Sequence, residues 1–142
     1  MKKLKKIYIA GALTHAGNKQ KEIYGEIADL CREFCSDVYV PHLGGTDPVK
    51  NPEITAFDVW QKNFKIVSES DLVIAYAGEP SLGVGAELEI ARNAGNKIIL
   101  WWFKGEKVSR MARGNPAVIK MIEAENKENL FELIKIALRN MN

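Results

Sequence analysis

The chain has 142 residues, of which 46% are hydrophobic and 27% charged, with a formal net charge of +2. This length fits one domain with its own core, and so small a net charge does not indicate a nucleic-acid-binding surface. No apolar run is long enough to span a bilayer, and the first one, Ile7–Leu13, fits a buried strand better than a signal sequence. We therefore expect a single cytoplasmic domain over residues 1–142, with neither nucleic acid nor membrane as a partner.

The first half of the chain alternates strands with helices. An apolar run predicts a strand over Lys6–Ala12, and apolar residues at helical spacing predict a helix from Asn18 to about Cys35. Asp37–His42 is typical of a short strand, which Pro41 would close because proline cannot donate to a sheet ladder. After a loop rich in Gly and Pro, the pattern predicts a second helix over Ile54–Glu69. Its apolar side chains fall on one face: Phe57, Trp60, Phe64 and Val67.

The second half continues the alternation. Leu72–Ala77 is a continuous apolar run, as in a central parallel strand covered on both faces. A helix from about Val84 to Gly95 follows, then a buried strand over Lys97–Phe103, a short strand over Ala117–Glu123 and a last helix from about Asn126. This alternation predicts an α/β fold: a doubly wound, flavodoxin-like parallel sheet of about five strands with helices on both faces.

The cysteines and histidines do not have the spacing of a metal site. Cys31 and Cys35 lie four residues apart on a helical pattern and could bind a metal or form a redox couple, but there is no second pair of cysteines. We expect two reduced thiols. His15 and His42 are too far apart to form a metal-binding pair, so we expect no metal.

Ligands of open α/β sheets bind beyond the carboxyl ends of the strands, and the most informative stretch there is Gly78–Gly85. Gly83 and Gly85 bracket a helix start, so free backbone N–H groups could meet a phosphate or carboxylate, and Ser81 adds a hydroxyl donor. Glu87 would then fall in the first helical turn, where the helix dipole favours its ionised form. A carboxylate aimed into a cleft can act as a nucleophile. The alternative is a surface Glu that complements the dipole, behind glycines that only make a turn.

Three other side chains are candidates by position. Tyr8 lies near the carboxyl end of the first strand, Tyr24 lies on the first helix, and His42 ends the second strand. For each of them a structural role is the alternative.

Three segments resemble the nucleoside 2-deoxyribosyltransferase superfamily: Tyr8–Gly11, Ser70–Ala75 and Pro80–Leu88. The similarity covers roughly residues 6–122 and, within the superfamily, is closest to the 2'-deoxynucleoside 5'-phosphate N-hydrolases. The stretch Ser81–Leu88 (SLGVGAEL) is the specific part of the match.

The resemblance implies roles for individual residues. It makes Glu87 the nucleophile, with Tyr8 beside it, and makes Ser81 a contact of the substrate phosphate. The transferases tend to have Asp at this serine position, so Ser81 favours a nucleotide substrate. Further substrate contacts implied by the matching positions and loops are Gly11, Ala12, Leu13, Tyr24, His42, Gly83 and Gly85.

The resemblance also implies a homodimer. Ser109–Met111 is similar to the segment that one subunit lends to its neighbour's site, so Ser109 and Met111 become substrate contacts in the adjacent subunit. Trp101 and Trp102 lie in an aromatic-rich neighbourhood that could belong to the interface, the alternative being that they fill the core.

The sequence departs from the family at the second helix and the first loop. Asn63 stands where the family usually has an Asp that protonates or holds the leaving base, and an asparagine can bind the base but cannot supply a proton. Ala12 and Thr14 stand where the hydrolases often have Ser and Arg.

The function that follows is an N-glycosidase acting on (2'-deoxy)nucleoside 5'-monophosphates, with no metal or organic cofactor. Glu87 attacks the anomeric carbon, the base leaves, and water resolves the glycosyl-enzyme. One alternative is a deoxyribosyltransferase, in which a second base replaces the water. The other, suggested by Asn63, is a nucleotide-binding module without catalytic activity.

Overall fold

A computed structural model describes residues 3–141. Its five strands are β1 (Lys6–Ala10), β2 (Asp37–Tyr39), β3 (Leu72–Tyr76), β4 (Lys97–Phe103) and β5 (Val118–Ala124). They form one sheet in the order β2-β1-β3-β4-β5, and every neighbouring pair is parallel. The predicted doubly wound α/β fold of five strands is confirmed.

The helices cover both faces of this sheet. They are α1 (Asn18–Cys31), α2 (Ala56–Glu69), α3 (Leu82–Asn93), the short α4 (Arg110–Arg113) and α5 (Lys127–Met141), with a 3-10 turn at Pro41–Leu43. Helices α1 and α5 pack together on one face, and α2 and α3 pack together on the other. Among residues 3–141, no helix has the length and apolar character needed to cross a bilayer.

The core lies between the sheet and the helices. Every residue of β3 is buried, which explains its uninterrupted apolar run, since a central parallel strand is covered on both faces. Trp101 of β4 is fully buried, and Trp102 is buried with its Nε1 donating to Glu123 at 3.1 Å. Both tryptophans therefore fill the core, and the suggestion that they contribute to a subunit interface is wrong.

Two element boundaries that bear on the site differ from the sequence prediction. Helix α3 begins at Leu82, about two residues early, because Ser81 caps it: the Ser81 Oγ accepts the Val84 N–H at 3.2 Å. Strand β2 ends at Tyr39, and the chain turns into the 3-10 turn that contains His42. His42 therefore does not end a strand, since Pro41 starts the turn rather than closing the strand.

The strand order places a crevice at the carboxyl ends of β1 and β3. These two strands are neighbours, but the chain leaves β1 toward α1 on one face and β3 toward α3 on the other. The connections that follow diverge, which leaves the opening where ligands bind in doubly wound sheets.

Candidate active site

The crevice holds a cavity of about 800 Å³. Its walls are the loops that follow β1 and β3, the segment before α2, the N-terminal turns of α2 and the start of α3. The lining residues that matter for the site are Gly11, Ala12, Leu13, Asn51, Trp60, Asn63, Phe64, Ser81, Gly83 and Glu87.

Glu87 and Tyr8 meet at the inner end of this cavity. The Tyr8 hydroxyl, from β1, donates a hydrogen bond to Oε2 of Glu87, from α3. Tyr8 is fully buried, and Glu87 is only 9% exposed. The Tyr8 ring stacks on Tyr39 of β2 with their centroids 5.6 Å apart, which holds the hydroxyl in place. One carboxylate therefore faces the cavity in a fixed orientation.

Burial sets the protonation of this pair. It raises the pKa of Glu87 to about 7, although the hydrogen bond from Tyr8 acts in the opposite direction. Burial also raises the pKa of Tyr8, and the neighbouring Glu87 carboxylate raises it further, so Tyr8 keeps its proton. Because α3 begins at Leu82, Glu87 lies in the second turn rather than the first. We expected the helix dipole to keep Glu87 ionised. That expectation is corrected, because burial raises the pKa of Glu87 to about 7.

The start of α3 can accept an anion. The Ser81 Oγ takes up the Val84 N–H, and the Ser81 carbonyl accepts the Gly85 N–H at 3.1 Å, so the helix itself offers no acceptor to the N–H groups of Leu82 and Gly83. A Cβ added at Gly83 would approach only the Ser81 Oγ, at 3.8 Å, and at Gly85 it would meet nothing within 4 Å among the described residues. Packing within the chain therefore does not require either glycine, and the space beside them is open to a ligand.

The opposite wall comes from α2 and is apolar except for one amide. Trp60 and Phe64 line the cavity, with their rings stacked 5.0 Å apart, and Asn63 lies between them in sequence. The buried Asn63 Oδ1 has no hydrogen-bond partner within residues 3–141. The wall therefore combines aromatic surface with an amide group that can still accept a hydrogen bond.

The sequence places this architecture in a known family. The family model for nucleoside 2-deoxyribosyltransferase matches residues 7–133, nearly the whole chain. The chain belongs to the nucleoside 2-deoxyribosyltransferase family.

Curated relatives of this family member carry hydrolase names. A 5-hydroxymethyl-dUMP N-hydrolase from Esox lucius is 29% identical over 76% of this chain and 77% of the relative. A protein from Syntrophotalea carbinolica, named a candidate 2'-deoxynucleoside 5'-phosphate N-hydrolase 1, is 26% identical over 94% of each chain.

Solved structures share the fold of this family member. The CMP N-glycosidase of Clostridium botulinum superposes with a TM-score of 0.70 at 20% identity, covering 94% of this chain and 99% of that one. A 2-desoxiribosyltransferase from Leishmania mexicana superposes with a TM-score of 0.55 at 19% identity, covering 80% and 82%.

Tyr24 and His42 lie behind the cavity wall in this family member. The Tyr24 hydroxyl donates to the Ala12 carbonyl at 3.1 Å, and its ring lies where a side chain on Gly11 would have to sit. Tyr24 thereby shapes the Gly11–Leu13 loop. Neither Tyr24 nor His42 is among the cavity-lining residues.

His42 is buried in the 3-10 turn, and its Nδ1 is unpartnered among residues 3–141. Burial lowers its pKa, and the nearby Lys50 lowers it further, although Asp47 opposes the shift. The imidazole is therefore neutral around pH 7.

Ser109 and Met111 line a second cavity of about 550 Å³. It lies on the other side of the α3 start, with Ser81 and Val84 in the wall between the two cavities. The Ser109 Oγ caps α4 by accepting the Ala112 N–H at 3.3 Å, and Met111 is 88% exposed. Within one chain, the α3 start therefore separates these residues from Glu87.

Sequence reasoning missed the aromatic contribution of α2. The helical pattern put Phe57, Trp60 and Phe64 on the same face as Val67, but of the described α2 side chains only Val67 is buried. Phe57, Trp60 and Phe64 are 64%, 53% and 42% exposed and form a continuous stack. An aromatic residue at every third or fourth position was the available signal, but periodicity alone does not separate a core face from a ligand-facing one.

Proposed function

We propose that the chain acts as one domain that hydrolyses the base–sugar bond of 2'-deoxynucleoside 5'-monophosphates. The observation that carries this proposal is the buried Tyr8–Glu87 pair at the inner end of a cavity of about 800 Å³, which is large enough for a nucleotide. The names of the curated relatives support the same reaction class, since they describe N-hydrolases of deoxynucleotides.

The reaction proceeds in two steps on Glu87. In the first, the ionised carboxylate attacks C1' of the sugar, and the bonding electrons of the C1'–N bond leave with the base, which takes up a proton. In the second, water attacks C1' of the glycosyl ester, loses a proton and releases Glu87 as a carboxylate. Tyr8 orients the carboxylate throughout, because its hydroxyl holds one of the two oxygens.

The start of α3 binds the 5'-phosphate. The N–H groups of Leu82 and Gly83, the Ser81 hydroxyl proton and the helix dipole all favour an anion there. Among the described residues that line this cavity there is no Lys or Arg, so the phosphate depends on these neutral donors and on groups from outside it.

The base lies against α2. Trp60 and Phe64 provide ring surface, and Asn63 provides an amide that can bind an edge of the base. Because an amide cannot act as a general acid, the proton that the base needs must come from water or another donor.

The enzyme acts as a homodimer that shares its sites. Ser109 and Met111 line the second cavity rather than the one that holds their own Glu87, and both are exposed enough to reach a neighbouring subunit. The exposed stack of Phe57, Trp60 and Phe64 is apolar surface of the kind that a second subunit covers.

A panel of substrates tests the activity. We expect wild-type protein to release base from at least one 2'-deoxynucleoside 5'-monophosphate and Glu87→Ala to release none while keeping its fold by circular dichroism. Turnover near the wild-type rate in Glu87→Ala would contradict the proposal.

Subunit complementation tests the shared site. Glu87→Ala and Ser109→Ala are each expected to be impaired, and mixing them should restore activity. Each mixed dimer then contains one site with an intact Glu87 and an intact Ser109 from the partner. If the mixture is only as active as the sum of the two variants measured separately, the subunits do not share their sites.

Transfer of the sugar to a second base is the other candidate, favoured by the family model that matches the chain. Adding a free acceptor base to the assay separates the two reactions. Hydrolysis gives free sugar phosphate at a rate that the acceptor does not change, whereas transfer gives a new nucleotide.

A further inference from the structure

A single carboxylate joins the carboxyl ends of β3 and β4. Glu106 follows β4 in a tight turn, in which its N–H donates to the Phe103 carbonyl at 3.0 Å and Gly105 takes a φ of +91°. Its Oε1 accepts the Phe103 N–H at 2.6 Å, and its Oε2 accepts the hydroxyl of Tyr76, the last residue of β3. The Glu106 side chain thus links two neighbouring strands at their carboxyl ends. We call this pair of hydrogen bonds, to Phe103 and Tyr76, the clasp.

Gly78 makes room for this clasp. A Cβ at Gly78 would overlap the Glu106 carboxylate, and that carboxylate supplies all three of the nearest atoms. Gly78 does not have a positive φ, so its backbone conformation would accept another residue. A side chain at position 78 would therefore have to displace the Glu106 carboxylate that lies against Gly78.

The clasp lies close in sequence to two segments that line the second cavity. Three residues after Gly78 comes Ser81, the cap of α3, and three residues after Glu106 comes Ser109, the cap of α4. Ser81 and Ser109 both line the second cavity, whereas Glu106 lines neither cavity as described. Glu106 can therefore influence a ligand only through the segments that it holds.

We propose that Glu106 is a positioning residue that fixes the Ser81 segment and the Ser109 segment at the ends of β3 and β4 and thereby sets the affinity for the phosphate group. This inference rests on the proposed function, because it takes the α3 start to be the phosphate site. If Ser109 serves the neighbouring subunit, the clasp also links each subunit's own phosphate site to the segment that it lends.

Four variants test this role: Glu106→Ala, Glu106→Gln, Gly78→Ala and the Gly78→Ala/Glu106→Ala double variant. Glu106→Ala removes the clasp, and Gly78→Ala displaces it. Glu106→Gln keeps it, because the amide oxygen can accept the Phe103 N–H while its NH2 donates to the Tyr76 oxygen. In the double variant the methyl group added at position 78 meets no carboxylate. The loss of affinity should therefore be no larger than in Glu106→Ala.

The affinity readout uses 2-deoxyribose 5-phosphate, a probe without a base, titrated by NMR beside 2-deoxyribose. We expect the dissociation constant of the phosphorylated sugar to rise about tenfold in Glu106→Ala and Gly78→Ala, roughly the effect of losing one hydrogen bond to the ligand. Glu106→Gln should bind like wild type, and so should Glu125→Ala, a control at an exposed surface pair with Lys104. With a nucleotide substrate, Glu106→Ala and Gly78→Ala should raise KM while kcat changes little.

The outcomes separate this proposal from the hydrolase itself. If wild type binds the sugar phosphate but hydrolyses no nucleotide, the hydrolase proposal fails and the positioning role stands on the binding data. If Glu106→Ala loses stability but binds the sugar phosphate as wild type does, Glu106 is only structural and the positioning role is wrong. A wild type that does not distinguish the sugar phosphate from the sugar would overturn it as well.

Discussion

The hydroxyl of Tyr8 and the carboxylate of Glu87 are joined by a hydrogen bond in a place where both side chains are buried. The two residues are 79 positions apart, and β1 and α3 bring them together. The bond favours the ionised form of Glu87 against a burial effect that raises its pKa to about 7. The proposed nucleophile therefore changes between its protonated and ionised forms near neutral pH.

Tyr8→Phe should move the acidic limb of the pH profile of kcat/KM to higher pH by about one to two units, the worth of one hydrogen bond to a charged group. Without the hydroxyl, the pKa of Glu87 rises further and less of it is ionised at pH 7. Activity should therefore fall at neutral pH and recover in alkaline buffer. Tyr39→Phe, which removes a hydroxyl from the stacked neighbouring ring, is the matched control. A profile that falls in height without moving would argue against this role.

Glu87→Gln should stabilise the protein above pH 7 by up to about 3 kcal/mol. The pKa of Glu87 is about 7 in the folded protein against 4.5 for a free carboxyl, so between these values the folded state binds more protons than the unfolded state. The free energy of unfolding of wild type therefore falls as pH rises through this window, and the glutamine variant lacks that loss. Urea unfolding from pH 4 to 8.5 measures the difference, with Glu22→Gln on the exposed side of α1 as the control. Parallel curves for wild type and Glu87→Gln would contradict the raised pKa.

Ser81→Ala should lower kcat/KM for nucleotides by roughly 10–100-fold, since a hydrogen bond to a charged group is lost, and should change kcat/KM for nucleosides far less. The substitution also removes the α3 cap, which costs about 1 kcal/mol of stability. Thr55→Ala removes the matching cap of α2, where the Thr55 Oγ1 accepts the Asp58 N–H at 3.1 Å, and so controls for the loss of stability. Equal losses for nucleosides and nucleotides would rule out a phosphate contact.

Asn63→Asp should raise the rate of base release, most clearly at mildly acidic pH, where the new carboxyl is partly protonated. General-acid help is typically worth 10²–10⁴-fold, so even a fraction of it is measurable in single-turnover assays. Asn51→Asp adds the same charge elsewhere on the cavity wall and should give no gain. If Asn63→Asp is inert while wild type is already fast, another group protonates the base.

Local patterns along the chain were sufficient to predict the fold. Secondary structure follows the period of apolar side chains, so it can be predicted from residues that are neighbours in sequence. This holds for the buried run of β3, for the alternation of strands with helices and for the glycines near the start of α3. The rule that ligands bind beyond the carboxyl ends of strands then selected the Gly78–Gly85 loop. The family resemblance added Glu87, Tyr8 and Ser81, which spacing alone left beside structural alternatives.

The tertiary structure decided what depends on burial and on contacts between distant residues. The sequence placed Glu87 in the first turn of a helix and suggested an ionised carboxylate, whereas burial against β1 sets its pKa near neutrality. It put Phe57, Trp60 and Phe64 on the same face as the buried Val67, and only packing showed that these aromatic side chains remain exposed. The clasp of Glu106 on Gly78 and Tyr76 has no counterpart in local pattern. Desolvation and steric fit are properties of neighbours in space, and chain order does not reveal those neighbours when they are tens of residues apart.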